Sequence, residues 1–207
     1  MEKETARQII NILSENYPEA GCGLNFSDPY ELLVATILSA QCTDTRVNKT
    51  TPELFAAADT PEKMIELGEE KLAAIIRPCG LSAGKSKNII ETSRILISDY
   101  AGSVPSGFEA LTSLPGVGRK TANVVLSNAF GADAIAVDTH VFRVSNRTGL
   151  ADSSNVLKTE KMLMQIIPKS LWSLSHHLLI LHGRRVCTAR NPKCGSCEIN
   201  KYCEKKL

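Results

Sequence analysis

Leu114-Pro115-Gly116-Val117-Gly118-Arg119-Lys120-Thr121-Ala122 is the stretch on which the fold of this chain turns. Glu109 to Ser113 can end one helix and Arg119 to Phe130 can form the next, leaving Leu114 to Gly118 as the connection. Pro115 stops the first helix, and Gly116 and Gly118 permit backbone angles closed to other residues. The second helix then opens with free backbone N–H groups at the positive end of its dipole, which makes an anion site. Arg119, Lys120 and Thr121 add positive charge and a hydroxyl there. A bare Pro-Gly-x-Gly would be no more than a tight turn between helices. The continuation through basic, Lys, Thr and Ala is the more specific signature of a helix–hairpin–helix motif. Such contacts grip a backbone phosphate and carry no base information.

Outward from the hairpin the periodicities stay helical. Ile89, Leu96, Ile97 and Tyr100 share a face, as do Leu171, Leu174, Leu178 and Leu181. Tyr30 to Ala40 is apolar nearly all round, as expected of a helix at the centre of a domain. Breaks at Ser27-Asp28-Pro29, Asp59-Thr60-Pro61, Pro78-Cys79-Gly80 and Ser103 to Gly107 punctuate these runs, and Asp28 and Asp59 are the expected helix caps. No alternating run is long enough for a sheet, so the class is all-α.

A chain of 207 residues that is 43% hydrophobic and 22% charged is an ordinary globular composition. Met1-Glu2-Lys3-Glu4-Thr5 lacks the basic start and apolar stretch of a signal peptide. The uncharged stretch Leu32 to Thr43 has twelve residues, short of the roughly 20 that cross a bilayer. These features predict a soluble, cytoplasmic protein. The net charge of +2 hides an asymmetry. From Arg184 to Leu207 seven Lys or Arg face two Glu, a balance of +5, against −3 for the rest of the chain. A basic tail on a slightly acidic body suits a polyanion, although a solvated terminus is the plainer reading.

Lysine is a nucleophile only as the neutral amine, a form that nearby cations and a helix N-terminus favour. Lys120, beside Arg119 at a helix start, fits that role; the plainer alternative is a phosphate contact. Asp138, in Ala136-Val137-Asp138-Thr139-His140-Val141-Phe142-Arg143, stands just before an apparent helix. It reads as an N-cap and as a candidate partner, since a capping carboxylate is pinned by the backbone. Eighteen residues, one helix and a loop, separate it from Lys120. His140 reads as a capping-region or core histidine and not as a catalyst. His176, His177 and His182 lie on an apolar helix without ligand spacing.

Seven cysteines, an odd total without a signal peptide, argue against a disulfide framework. Cys22, Cys42 and Cys79 are scattered and expected to pack as small buried hydrophobes. Cys187, Cys194, Cys197 and Cys203 leave six, two and five residues between them and can enclose one metal centre. The spacing matches neither paired zinc knuckles nor the common ferredoxin patterns, so it leaves iron–sulfur against zinc open. The two outer cysteines make a redox-active Cys-x-x-Cys the weakest option. Between the first pair lies a short loop carrying Arg190 and Lys193, whose charges a metal centre would aim at phosphate.

Leu38 to Asp44, Leu114 to Ala122, Val137 to Arg147 and the four cysteines resemble the bacterial endonuclease III family. Its members are DNA glycosylases with AP lyase activity from the helix–hairpin–helix superfamily. The likeness spans nearly all 207 residues with no departure at a functional motif. It implies two all-α domains: a six-helix barrel with the hairpin over residues 22–132, and a cluster domain joining 1–21 to 133–207. It implies a [4Fe–4S] cluster on the four cysteines and a substrate class of oxidised or ring-saturated pyrimidines in double-stranded DNA. Lys120 and Asp138 fall on the catalytic positions. Gln41 and Leu81 fall on positions that fill the gap left by an extruded nucleotide; from the residues alone they read as a buried polar and an apolar loop residue. Gly116, Gly118, Arg119, Thr121, His140, Arg190 and Lys193 are the further expected DNA contacts. The family implies a monomer acting at the nucleoid, away from membranes.

Three alternatives compete. The related adenine glycosylase of mismatch repair lacks a catalytic lysine at this hairpin and usually carries a further C-terminal domain, so Lys120 and the end at Leu207 argue against it. A non-catalytic helix–hairpin–helix DNA-binding iron–sulfur protein would not need both Lys120 and Asp138. A single cluster beside a DNA hairpin is poor support for an electron carrier.

Overall fold

The computed structural model describes residues 1–206 and builds eleven α-helices from them, with no β-strand among the described residues. The all-α expectation holds. The chain divides into two compact units, residues 22–131 and residues 1–21 with 132–207.

α1 (Lys3–Asn16) belongs to the unit made from both chain ends. It buries Ala6, Ile9, Ile10 and Leu13, a single stripe at helical spacing. Each such aliphatic side chain taken from water contributes roughly 1.5–3 kcal/mol.

α2 (Pro29–Leu38) runs through the other unit with every residue from Tyr30 to Leu38 buried, as its all-round apolar surface requires. Asp28 caps it, its carboxylate accepting from the Glu31 N–H at 2.9 Å, and Pro29 enters at the first turn. α3 (Asp44–Ala57), α4 (Pro61–Leu67), α5 (Glu69–Ile75), α6 (Ser82–Tyr100), α7 (Phe108–Thr112) and α8 (Arg119–Ala129) complete the unit. α2 packs on α8, and α6 on α4 and α5. Asp59 does not cap α4. Pro61 at the first helical position hands that role to Thr60, whose hydroxyl accepts from Lys63 N–H at 3.3 Å. Asp59 instead pairs with the Lys63 ammonium at 2.8 Å. On α6, Ile89 and Leu96 are buried but Ile97 is exposed. Eight residues of helix put it about 80° around from Ile89, at the edge of the apolar face.

α9 (Thr139–Thr148), α10 (Val156–Ile166) and α11 (Trp172–Arg185) join α1 in the unit of residues 1–21 and 132–207, where Val141, Val144, Leu163, Leu178 and Leu179 share a core with the α1 stripe. α9 and α11 approach closely at Gly183, where a Cβ would stand 3.1 Å from both the His140 Cβ and the Val144 Cγ2. His176, His177 and His182 are core residues. No helix among the described residues is long and apolar enough to cross a membrane.

Candidate functional site

The hairpin joins α7 to α8 through backbone bonds from Leu114 N to Leu111 O and from Val117 N to Leu114 O, both 3.1 Å. The Thr92 hydroxyl on α6 donates to the Pro115 carbonyl at 3.1 Å and fixes the loop from behind. Gly116 has φ +76°, and a Cβ there would sit 2.8 Å from the Asn88 amide nitrogen, so both backbone and space demand glycine. Gly118 corrects the sequence reading: its φ of −89° and ψ of 175° are extended backbone open to any residue. A Cβ at Gly118 would meet nothing within 4 Å, so this glycine keeps the mouth of α8 bare. No side chain caps α8, whose first N–H groups therefore face outward for a ligand. The Arg119 guanidinium lies 4.7 Å over the Phe108 ring. Lys120 is exposed beside it, and Thr121 is half-buried. Among the described residues no hydrogen bond or ion pair engages the Lys120 amine.

Gln41 and Leu81 hold left-handed backbone, at φ +54° and +51°. Such geometry in a non-glycine residue costs roughly 1–3 kcal/mol and clusters at functional sites. Both are exposed, Leu81 by 60%. The reading of Gln41 as buried is thus corrected, because α2 ends at Leu38 and the following turn carries Gln41 outward. Ala40, Leu81, Asn88 and Gly116 line one depression of this unit. Lys85, a residue that sequence reasoning passed over, lines it too. Its buried amine donates to Leu38 O at 2.8 Å and Cys79 O at 2.9 Å, tying together the segments that lead into Gln41 and Leu81. Burial holds that amine below the usual lysine range. Cys79 is buried, but Cys22 and Cys42 are only half-buried, against expectation. The Cys42 thiol faces Cys79 and Lys85, with burial the main cause that pushes it up.

In the unit of residues 1–21 and 132–207, Ile135, Ala136 and Val137 form a buried run outside any helix that ends on Asp138. His176 Nδ1 lies 2.7 Å from the Ala136 carbonyl and holds that run. Asp138 caps α9, its Oδ1 accepting from His140 N–H and Val141 N–H at 2.8 Å each. No hydrogen bond among the described residues engages its Oδ2. The His140 ring meets Arg143 Nη2 at 3.2 Å. Arg143 and Arg147, four apart on α9, reach to the cysteine loop: Arg143 donates to Gly183 O at 2.8 Å and Cys187 O at 3.1 Å, and Arg147 to Thr188 O at 2.7 Å and Ala189 O at 3.1 Å. Their i, i+4 spacing behind Asp138 was the available signal, but their partners lie some 40 residues away.

Cys187, Cys194, Cys197 and Cys203 line one pocket with Arg147 and His182, and none of the four is in a disulfide. Burial raises Cys197 and Cys203, and neighbouring thiols add to this in both. A four-iron cluster takes one cysteine sulfur at each iron, and four cysteines lining one pocket supply that donor set. Arg190 and Lys193 flank this pocket, both exposed, on a loop closed by the Lys193 N–H to Val186 O bond of 3.0 Å. Lys120 and Asp138 fall in different units.

Hairpin and cysteine pocket together define a class. The model of the HhH-GPD superfamily of base excision DNA repair proteins matches residues 34–169, and that of the iron–sulfur binding domain of endonuclease III matches 187–203. Endonuclease III of Escherichia coli strain K12 is 51% identical over 206 residues, 100% of this chain and 98% of that protein. A solved non-covalent endonuclease III–DNA complex superimposes with a TM-score of 0.94 at 47% identity, covering 99% of this chain and 96% of that one. A trapped covalent endonuclease III–DNA intermediate does so at 0.93 and 47%, covering 99% and 97%. The chain belongs to the endonuclease III family. Its cofactor is a [4Fe–4S] cluster.

Proposed function

We propose that this protein excises oxidised or ring-saturated pyrimidines from double-stranded DNA and cuts the strand 3′ to the resulting abasic site by β-elimination, as a bifunctional glycosylase and AP lyase of base excision repair. The observation that carries the reading is an exposed lysine, its amine in no hydrogen bond or ion pair among the described residues, at the mouth of an uncapped helix in a chain whose fold matches a trapped covalent DNA complex.

A base inside the duplex stack hides its C1′, so the damaged nucleotide is extruded. Gln41 and Leu81, already held outward at an energetic cost, fill the space left behind. The N–H groups at the start of α8, with Gly116, Gly118, Arg119 and Thr121, hold the flanking phosphate. The neutral Lys120 amine attacks C1′, the C1′–N bond breaks and the base leaves with the electron pair. Asp138 takes a proton from the amine or offsets the positive charge growing on the sugar through its free Oδ2. The C1′–O4′ bond then opens, O4′ taking up a proton, which leaves a Schiff base between Lys120 and C1′; this acidifies the C2′ proton, whose removal expels the 3′ phosphate. His140 stands next to Asp138 at the DNA.

Cys187, Cys194, Cys197 and Cys203 hold the cluster, which supplies loop geometry and no bond-making step. Arg190 and Lys193 on that loop meet phosphates. The unit of residues 22–131 serves as the hairpin domain and the other as the cluster domain. The protein acts as a monomer at the bacterial nucleoid, in the cytoplasm.

The test is borohydride trapping on a duplex carrying one thymine glycol, wild type beside Lys120→Gln. Wild type should give a covalent adduct; Lys120→Gln should bind the duplex yet release no base and cut no strand. Cleavage by Lys120→Gln would remove the lysine from its role. Tight binding by wild type without adduct, with the cluster's absorbance intact, would leave the non-catalytic binding reading.

A further inference from the structure

His182 is buried between two partners that no part of the glycosylase chemistry uses. Its Nε2 lies 3.6 Å from the Cys197 sulfur and its Nδ1 lies 3.0 Å from the Tyr17 hydroxyl. His182 is 1% exposed and Tyr17 5%, so water can substitute for neither contact. We infer that Tyr17, His182 and Cys197 form a directed hydrogen-bond relay that tunes the electron affinity of the iron–sulfur cluster.

The direction follows from proton counting. This argument rests on the reading that Cys197 ligates iron. A ligating cysteine is a thiolate with lone pairs only, so a hydrogen between the two atoms must sit on Nε2. In the neutral ring Nδ1 then carries the lone pair, and the Tyr17 O–H must donate to it. The opposite tautomer would set a nitrogen lone pair against the sulfur. Tyr17 therefore selects the ring state that the sulfur needs.

Tyr17 is itself held in place. Its N–H closes the end of α1 on Leu13 O at 2.9 Å, and the Arg185 guanidinium lies 5.4 Å over its ring. Arg185 is in turn paired with Glu19. Cys197 also takes a backbone N–H, that of Ile199, but only His182 brings it a side-chain donor. Cys203 faces the backbone N–H of Lys205 at 3.3 Å, a donor almost any residue provides, and Cys187 faces Arg147 at a longer 3.9 Å. A donor aimed at a ligating thiolate draws electron density from sulfur and stabilises the more reduced cluster. The relay thus raises the reduction potential.

The experiment compares the holoprotein with Tyr17→Phe, His182→Leu and His182→Gln, reading iron per chain, the cluster's midpoint potential and the iron–thiolate stretching frequencies. With iron content unchanged, His182→Leu should move the potential negative and raise the stretching frequencies. Tyr17→Phe should shift both in the same direction by less, and His182→Gln, which restores an N–H donor, should fall between. Potentials and spectra equal to wild type in both His182→Leu and Tyr17→Phe would overturn the relay and make His182 a core filler. Should His182→Leu lose iron, Tyr17→Phe alone decides: a shift upholds the relay and an unshifted potential overturns it. Cys197→Ser is the separate control, and wild-type iron content and spectrum there would overturn the ligand reading and the relay with it.

Discussion

Gly116 stands at φ +76° with its bare Cα turned toward Asn88, while Gly118, two residues on, is extended and faces open space. Gly116→Ala therefore meets both strain and a clash, and should lose roughly 1–3 kcal/mol of stability, seen as a lower unfolding midpoint. Gly118→Ala should unfold like wild type and yet bind an abasic duplex more weakly, because its methyl group occupies the approach to the α8 N–H groups. Undiminished binding by Gly118→Ala would move the phosphate elsewhere. The run from Leu114 through Ala122, not Pro-Gly-Val-Gly alone, was enough to name the hairpin. It could not tell the strained glycine from the clear one, since that depends on Asn88, 28 residues upstream. Gln41 and Leu81 were legible only through resemblance: nothing local in either residue asks for left-handed backbone.

Helix α9 joins two roles at one residue, and they separate by substitution. Asp138→Asn keeps a side-chain oxygen to accept from His140 and Val141, so helix and stability should change little. Asp138→Ala should cost about 1 kcal/mol through the lost cap. If the carboxylate acts in the chemistry, both variants should lose base release to a similar degree, measured in single-turnover excision. Wild-type excision by Asp138→Asn would reduce Asp138 to a cap. This cap was readable because its signal is local: an apolar run, an aspartate, then helical periodicity. Asp59 misled for an equally local reason, as Pro61 shifts the helix start by one residue and promotes Thr60. Contacts between elements were not readable. Lys85 looks like any helical lysine, and its burial on the carbonyls of Leu38 and Cys79 is a property of three segments meeting. Tyr17 and His182 are 165 residues apart.

Across the whole chain a net charge of +2 is too small to draw a polyanion, so binding must depend on where the charge lies. The basic C-terminal segment concentrates it, but its cations are not equivalent. Lys206 is committed to Asp152 at 3.0 Å and Glu204 at 3.1 Å, whereas Arg190 and Lys193 are exposed with no ion pair among the described residues. Each phosphate neutralised by a protein cation releases condensed counterions, which sets the slope of log affinity against log salt. Arg190→Ala and Lys193→Ala should each weaken duplex binding and flatten that slope by about 1, on damaged and undamaged DNA alike. Lys206→Ala should leave the slope nearly as it was, because the lysine it removes was already neutralised within the protein. Equal flattening in all three variants would mean that the tail acts as a diffuse charge, and the cysteine loop would then have no special claim on the DNA backbone. A selective loss at Arg190 and Lys193 would instead assign the contact to the loop that Arg143, Arg147 and the four cysteines hold in shape.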